Sequence, residues 1–207
     1  MYAKLPTMSR TPDDARKAEL LRKAVDYVCK HGLAGLSLRP LAKAIGSSPR
    51  VLLHYFGSKD DLIAEIIRQG RARQQQTMAN LKLTSDLPPR VITRILWRHY
   101  SKPQWEPLMR LFFEVYALAL QDRSRFPGFV EGAVEEWLAA LEACSTRPGY
   151  TRERARAFAT MMIAGFRGFL LDLCATHDRS RIDRAVDLWL TLLDYASSEE
   201  ARNDATA

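Results

Sequence analysis

Cysteine is scarce in this 207-residue chain. Cys29, Cys144 and Cys174 lie far apart, and no pair has the spacing of a metal site or a redox motif. Each reads as a small buried apolar side chain. Histidine is equally thin and scattered, at His31, His54, His99 and His177. No nucleophile sits in a recognisable elbow and no glycine-rich phosphate loop is present. Catalytic residues, cofactors and metals are therefore expected to be absent, and the reading as a helical enzyme has no support. Long apolar runs are missing too. The start, Met-Tyr-Ala-Lys-Leu-Pro-Thr-Met-Ser-Arg, has no apolar signal core. The most apolar stretch, 161–175, is broken by Arg167 and Asp172 and does not read as a membrane span. No strand alternation, repeat or low-complexity run appears. The expectation is a soluble, cytoplasmic, all-α protein that does not engage membranes.

The chain carries a formal charge of +7, unevenly spread. Residues 1–60 hold 11 Lys and Arg against 5 Asp and Glu, whereas residues 61–207 hold 20 against 19. Nearly all the excess cation thus lies in the first third, the electrostatic footprint of a polyanion binder. A basic membrane-surface segment would need an exposed apolar face. The apolar residues here are better used in a small three-helix core.

Residues 37–59 concentrate the signals. Ser37 is placed to cap a short helix, with Leu41, Ala42 and Ile45 on one face and Gly46 ending it. Ser48 caps the next helix and Pro49 takes its first position, where no amide is missed. Val51 and Leu52 point inward; Arg50 and His54 are left facing out. Gly57 turns the chain, and Ser58 caps a long helix whose stripe begins Leu62, Ile63, Ile66, Ile67. Two short helices joined by a tight turn make a helix-turn-helix, whose second helix fits a DNA major groove. Lys59 stands in a helix first turn, where a cation opposes the macrodipole. Alone it reads as a solvated lysine; beside Arg50 and His54 it reads as a phosphate ligand.

The segment resembles the DNA-binding signature of the tetracycline-repressor (TetR) family. The matching features are Ser37, Leu41-Ala42, Gly46, Ser48, His54-Tyr55-Phe56, Ser58-Lys59 and Leu62. Two positions depart from the pattern. Leu53 stands where the family usually has Tyr, which removes one phosphate-binding hydroxyl, and Pro40 biases Arg39 away from helical angles. The resemblance implies about nine helices: an N-terminal three-helix helix-turn-helix domain and a larger C-terminal ligand-binding and dimerisation domain. It also implies a homodimer on palindromic double-stranded DNA. Ser37, Ser48, His54, Tyr55 and Lys59 are expected to hold phosphates, Arg50 to read a base edge, and Arg39 and Pro49 to touch bases or sugar.

Composition and breakers suggest a loose arm over 1–10, a DNA-binding domain to 57, a linking helix over 58–81, a regulatory domain over 82–196 and a disordered tail from 197. Thr11-Pro12-Asp13-Asp14 opens the first helix, with Ala18, Leu21, Val25, Val28 and Cys29 inward and Gly32 ending it. Pro88-Pro89 starts a fifth helix, the segment 107–121 is apolar nearly all round and reads as central, and Arg147-Pro148-Gly149 is a turn. Aromatic and methionine density in the rear helices suggests a cavity for an apolar or aromatic effector. Its candidate residues are Trp97, Tyr100, Phe113, Glu114, Tyr116, Met162 and Phe166, and an ordinary core is the alternative. Small residues on helix eight (Ala164, Gly168) and the apolar face of helix nine (Trp189, Leu193) suggest a two-fold four-helix interface. The alternative is that these faces only cover helix six. The function these readings imply is a bacterial, cytoplasmic, nucleoid-associated repressor released by ligand. A regulator of the same fold that activates, or that needs no ligand, is the alternative, and a helical protein-interaction module is disfavoured by the concentrated charge.

Overall fold

The computed structural model describes residues 12–80, 87–145 and 151–204. The arm at 1–10, the Thr11 cap, the boundary at 81–82, the turn at 147–149 and the side chain of Cys144 lie outside the described residues. Among the described residues every regular element is helical: α1 (Pro12–His31), α2 (Leu38–Ala44), α3 (Pro49–Phe56), α4 (Lys59–Asn80), α5 (Pro89–Tyr100), α6 (Glu106–Gln121), α7 (Phe129–Ser145), α8 (Arg152–Thr176) and α9 (Arg179–Asp204). Short 3-10 turns at Pro103–Trp105 and Arg123–Arg125 flank α6. The chain divides into two units, 1–75 and 76–207, and the division falls inside α4.

In the first unit, Asp13 and Asp14 lie in the first turn of α1 and Lys30 and His31 in its last, each sign at the favourable end of the dipole. Leu20, Leu21, Ala24, Val25 and Val28 are buried. Leu20 and Ala24 broaden the inward stripe beyond the predicted one, whose Ala18 and Cys29 are only half-buried. Leu33, Leu36, Leu41, Ala42, Ile45, Leu52, Phe56, Leu62, Ile63 and Ile66 are buried as well. Each fully buried aliphatic side chain contributes about 1.5–3 kcal/mol. That is what fixes helices as short as α2 and α3, which would not persist alone in water.

In the second unit the central helix is α8, which packs against α5, α6, α7 and α9. This corrects the expectation for α6. That helix buries Met109, Leu111, Val115 and Ala119 but leaves Leu120 open to solvent. An apolar circumference does not by itself supply neighbours, whereas small residues let neighbours approach. Ala155 and Ala159 on α8 are buried, and a Cβ on Gly165 would lie 2.6 Å from the Trp189 ring. By length and composition alone α8 is long and apolar enough to cross a membrane; part of its apolar surface packs against four helices, and Met161 and Leu171 stay exposed. Helix α8 starts at Thr151, whose Oγ1 accepts from the Arg154 amide at 3.2 Å, and ends at left-handed His177. Helix α9 continues to Asp204, past the expected boundary at 196. No Gly or Pro interrupts 179–204, and Glu, Ala and Arg are good helix formers.

Candidate nucleic-acid interface

The turn between α2 and α3 follows from its residues. The Ile45 amide donates to Leu41 O at 3.0 Å and the Ser47 amide to Ala42 O at 2.8 Å, closing α2. Gly46 takes φ +70°, open to glycine without a Cβ penalty. Ser48 Oγ accepts from the Val51 amide at 3.3 Å, and Pro49 follows at the first helical position. The second turn is more demanding. Gly57 adopts φ 82° and ψ −75°. Ser58 and Asp61 then form a reciprocal cap on α4: the Asp61 amide donates to Ser58 Oγ at 3.0 Å and the Ser58 amide to Asp61 Oδ2 at 3.2 Å. This cap fixes the first turn of α4, where Lys59 stands exposed.

Leu52 and Phe56 bury one face of α3, which leaves Arg50, Leu53 and His54 exposed on the other. Arg39 and Lys43 on α2 are exposed too. Sequence reading missed Lys43, although its spacing of i+4 from Arg39 was a usable signal. Ser37 takes the N-cap position with extended angles, but its hydroxyl accepts nothing from the first turn. The expected cap bond is therefore absent, and the exposed hydroxyl is uncommitted to the helix. Pro49 is half-buried. Tyr55 departs from expectation. Its hydroxyl donates to Asp13 Oδ1 at 2.8 Å, and this bond raises its pKa. Contact with a phosphate would require that proton to be released from Asp13.

The rear unit sorts its candidates differently from the sequence. Trp97, Tyr100 and Met162 belong to the hydrophobic core, with Phe113 and Phe166 packed against it. Trp97 Nε1 donates to Asp183 Oδ1 at 2.7 Å. Tyr116 lies in an aromatic group with Phe112 and Phe129, joined to Phe113 through Phe112 (5.3 Å between centroids), and the Arg167 guanidinium sits 5.7 Å from the Phe112 and Tyr116 centroids. Glu114 is half-buried. A cleft of about 180 Å³ opens beside Tyr100, lined by Met109, Leu170, Leu173 and Cys174 with Glu106 and Arg179 among its polar residues. Of the interface candidates, Ala164 and Gly168 are exposed. Leu193 is 5% exposed and part of its own chain's core, and Trp189 packs against Phe169 at 5.4 Å and on Gly165. Among the described side chains of α8 and α9, the exposed large apolar ones are Met161 and Leu171 on α8 and Leu188 and Leu192 on α9.

A capped, two-turn helix projecting an arginine and a histidine beside exposed cations of α2 and α4 makes a helix-turn-helix, a shape whose second helix fits a DNA major groove. Residues 20–66 match the family model described as bacterial regulatory proteins, tetR family. The chain is 28% identical over 195 residues to the HTH-type transcriptional regulatory protein RaaS of Mycobacterium tuberculosis, covering 90% of this chain and 82% of that one. It is 26% identical over 101 residues to the HTH-type transcriptional repressor AcnR of Corynebacterium diphtheriae, and that match spans 49% of this chain and only half, 50%, of the relative. The fold is shared with a TetR-family transcriptional regulator from Cytophaga hutchinsonii (TM-score 0.74, 15% identity, 90% and 96% of the two chains). It is shared also with the multidrug binding protein EbrR complexed with imidazole (TM-score 0.64, 24% identity, 92% and 97%). Residues 20–66 therefore carry the helix-turn-helix segment of the tetR family of bacterial regulatory proteins, and the chain as a whole has the fold of TetR-family structures.

Proposed function

We propose that this regulator is a homodimeric repressor that grips a palindromic operator through two copies of α3 and lets go when a small apolar or aromatic effector binds its rear unit. The observation that carries the reading is the exposed cationic set Arg39, Lys43, Arg50, His54 and Lys59 on α2, α3 and the start of α4, in the part of the chain that holds nearly all the excess charge. Arg50 pairs with a guanine edge. Ser37 and Ser48 donate hydroxyl protons to phosphates; Ser48 is free to do so because the cap uses it only as an acceptor. His54 and Lys59 add cationic contacts, Tyr55 joins them once released from Asp13, and Arg39 and Pro49 touch bases or sugar.

A single α3 makes few base contacts, so two-fold symmetry is favoured. Ala164, Gly168, Leu171 and Met161 recur along one face of α8, with Leu188 and Leu192 one turn apart on α9. They replace Trp189 and Leu193 in the proposed four-helix interface. EbrR is a multidrug binding protein held with imidazole, malachite green or proflavin. For the present chain we place effector entry at the cleft beside Tyr100, from which the packed rings of Tyr100 and Phe166 (6.3 Å between centroids) open towards Trp97. The effector acts only to the extent that it binds the released state more tightly. Helix α4, continuous from Lys59 to Asn80, carries the change to the DNA-binding residues. The setting is the bacterial cytoplasm, at the nucleoid.

A second reading has one observation in its favour: Trp97, Tyr100 and Met162 already fill the core, as a ligand-independent regulator would require. Fluorescence anisotropy with the duplex upstream of its own gene separates the two. Proflavin or malachite green titrated into the complex lowers DNA affinity if the inducible reading holds. Undiminished affinity across a panel of apolar and aromatic compounds supports the ligand-independent one, and absence of DNA binding at low salt overturns both.

A further inference from the structure

Leu53 is 41% exposed and is the one exposed large apolar side chain among the described residues of the first unit. It shares a face of α3 with Arg50, His54 and Gly57, at the i, i+3, i+4, i+7 spacing, opposite buried Leu52 and Phe56. Only its backbone is used locally, its carbonyl accepting from the Gly57 amide at 2.9 Å. An isobutyl group left in water at the centre of a cationic surface needs a partner that is apolar there and anionic around it. A duplex major groove supplies both: phosphates at its rims and, on its floor, one apolar group, the 5-methyl of thymine. A protein partner would be met by a broader apolar patch than one leucine.

We propose that Leu53 is a base-reading residue, packing on a thymine 5-methyl next to the base edge read by Arg50. This rests on the DNA-binding role of α3 argued above. Leucine's side chain has no donor or acceptor, so a cytosine at that position would leave the groove-facing N–H of its amine against carbon and lack the methyl as well. Three residues of helix span about 4.5 Å, against 3.4 Å per base step. The thymine therefore lies one or two base pairs from the Arg50 base.

The test uses the full chain. A duplex is selected from a randomised library, then resynthesised with deoxyuridine replacing each thymidine in turn, which removes one methyl and nothing else. We expect about a fourfold loss of affinity at one thymidine per half-site, the worth of one buried methyl, and none elsewhere. L53A weakens the parent duplex and makes it indifferent to that deoxyuridine; R50A keeps the sensitivity. Because Leu53 is exposed, L53A keeps its melting temperature. Indifference of the wild type to every deoxyuridine, or an L53A variant that retains the sensitivity, overturns the assignment of Leu53. A selection that enriches no duplex overturns the DNA-binding role of α3 instead, and the Leu53 proposal with it.

Discussion

Replacing Gly57 by alanine loads the most demanding point in the first unit. Its φ of 82° with ψ −75° is the strained γ-turn geometry that side chains avoid, and forcing a Cβ into it costs about 1–3 kcal/mol. The new Cβ would also lie 3.1 Å from Asp61 Oδ2. That oxygen accepts from the Ser58 amide at 3.2 Å and from Ser58 Oγ at 2.7 Å, so crowding it loosens the cap on α4, worth about 0.5–2 kcal/mol. Together the two effects give about 2–4 kcal/mol. With a urea dependence of about 1–3 kcal/mol per molar, the midpoint of unfolding followed by circular dichroism falls by about 1–2 M. Gly35→Ala is the control, because nothing lies within 4 Å of its added Cβ and its φ is ordinary. DNA affinity falls with Gly57→Ala as well, since the same cap positions Lys59. A midpoint for Gly57→Ala no lower than that of Gly35→Ala would refute the account of this turn.

Lys59→Ala weakens binding to all duplexes alike and lowers the slope of log affinity against log salt by about one; an unchanged slope removes Lys59 from the phosphate contacts. Arg50→Ala relaxes base preference at one operator position per half-site, at about 1–3 kcal/mol, and an unchanged preferred sequence would show that Arg50 does not read it. Leu188→Glu with Leu192→Glu, at side chains 61% and 59% exposed, leaves the fold intact but yields monomers in sedimentation; persistence of the dimer places the interface elsewhere. Burial, with Lys102 adding to it, holds the His99 imidazole below its ordinary pKa of 6.5. Above that value the ring is neutral folded or unfolded. Below it the unfolded chain takes a proton that the folded chain resists, so stability falls from about pH 6.5 down to the lowered folded value and then levels. His99→Gln abolishes that limb of the stability–pH curve, and a curve identical in the two proteins contradicts the burial.

Local structure was legible where a residue acts on its own neighbours. Ser48, Pro49, Gly46 and Ser58 announce starts and stops because capping depends on residues two or three positions away. Burial of Leu41, Leu52 and Leu62 follows from helical spacing. What the sequence concealed depends on which surface meets which. Trp189 and Leu193 form an apolar face, but spacing does not distinguish a partner in the same chain from one in a second copy; in the structure Trp189 lies on Gly165 and Leu193 in its own chain's core. The apolar circumference of α6 suggested a central helix, whereas centrality went to α8, whose small residues admit neighbours. The extension of α9 to Asp204 is hidden because a small, charged composition resembles a disordered tail although no breaker is present. At the interface, Ser37 fulfils its position without its hydrogen bond, and the commitment of Tyr55 to Asp13, across 42 residues, leaves no local trace. Leu53 was visible only as a missing hydroxyl; its exposure turns the same residue into a candidate contact.

The most direct test is amide hydrogen exchange of the full chain with and without a selected duplex. DNA binding through α3 gives new protection concentrated in 37–59, strongest in α3 and the first turn of α4, with α7 unchanged. Protection confined to the rear unit, or none at a saturating concentration of a duplex that binds, would contradict it.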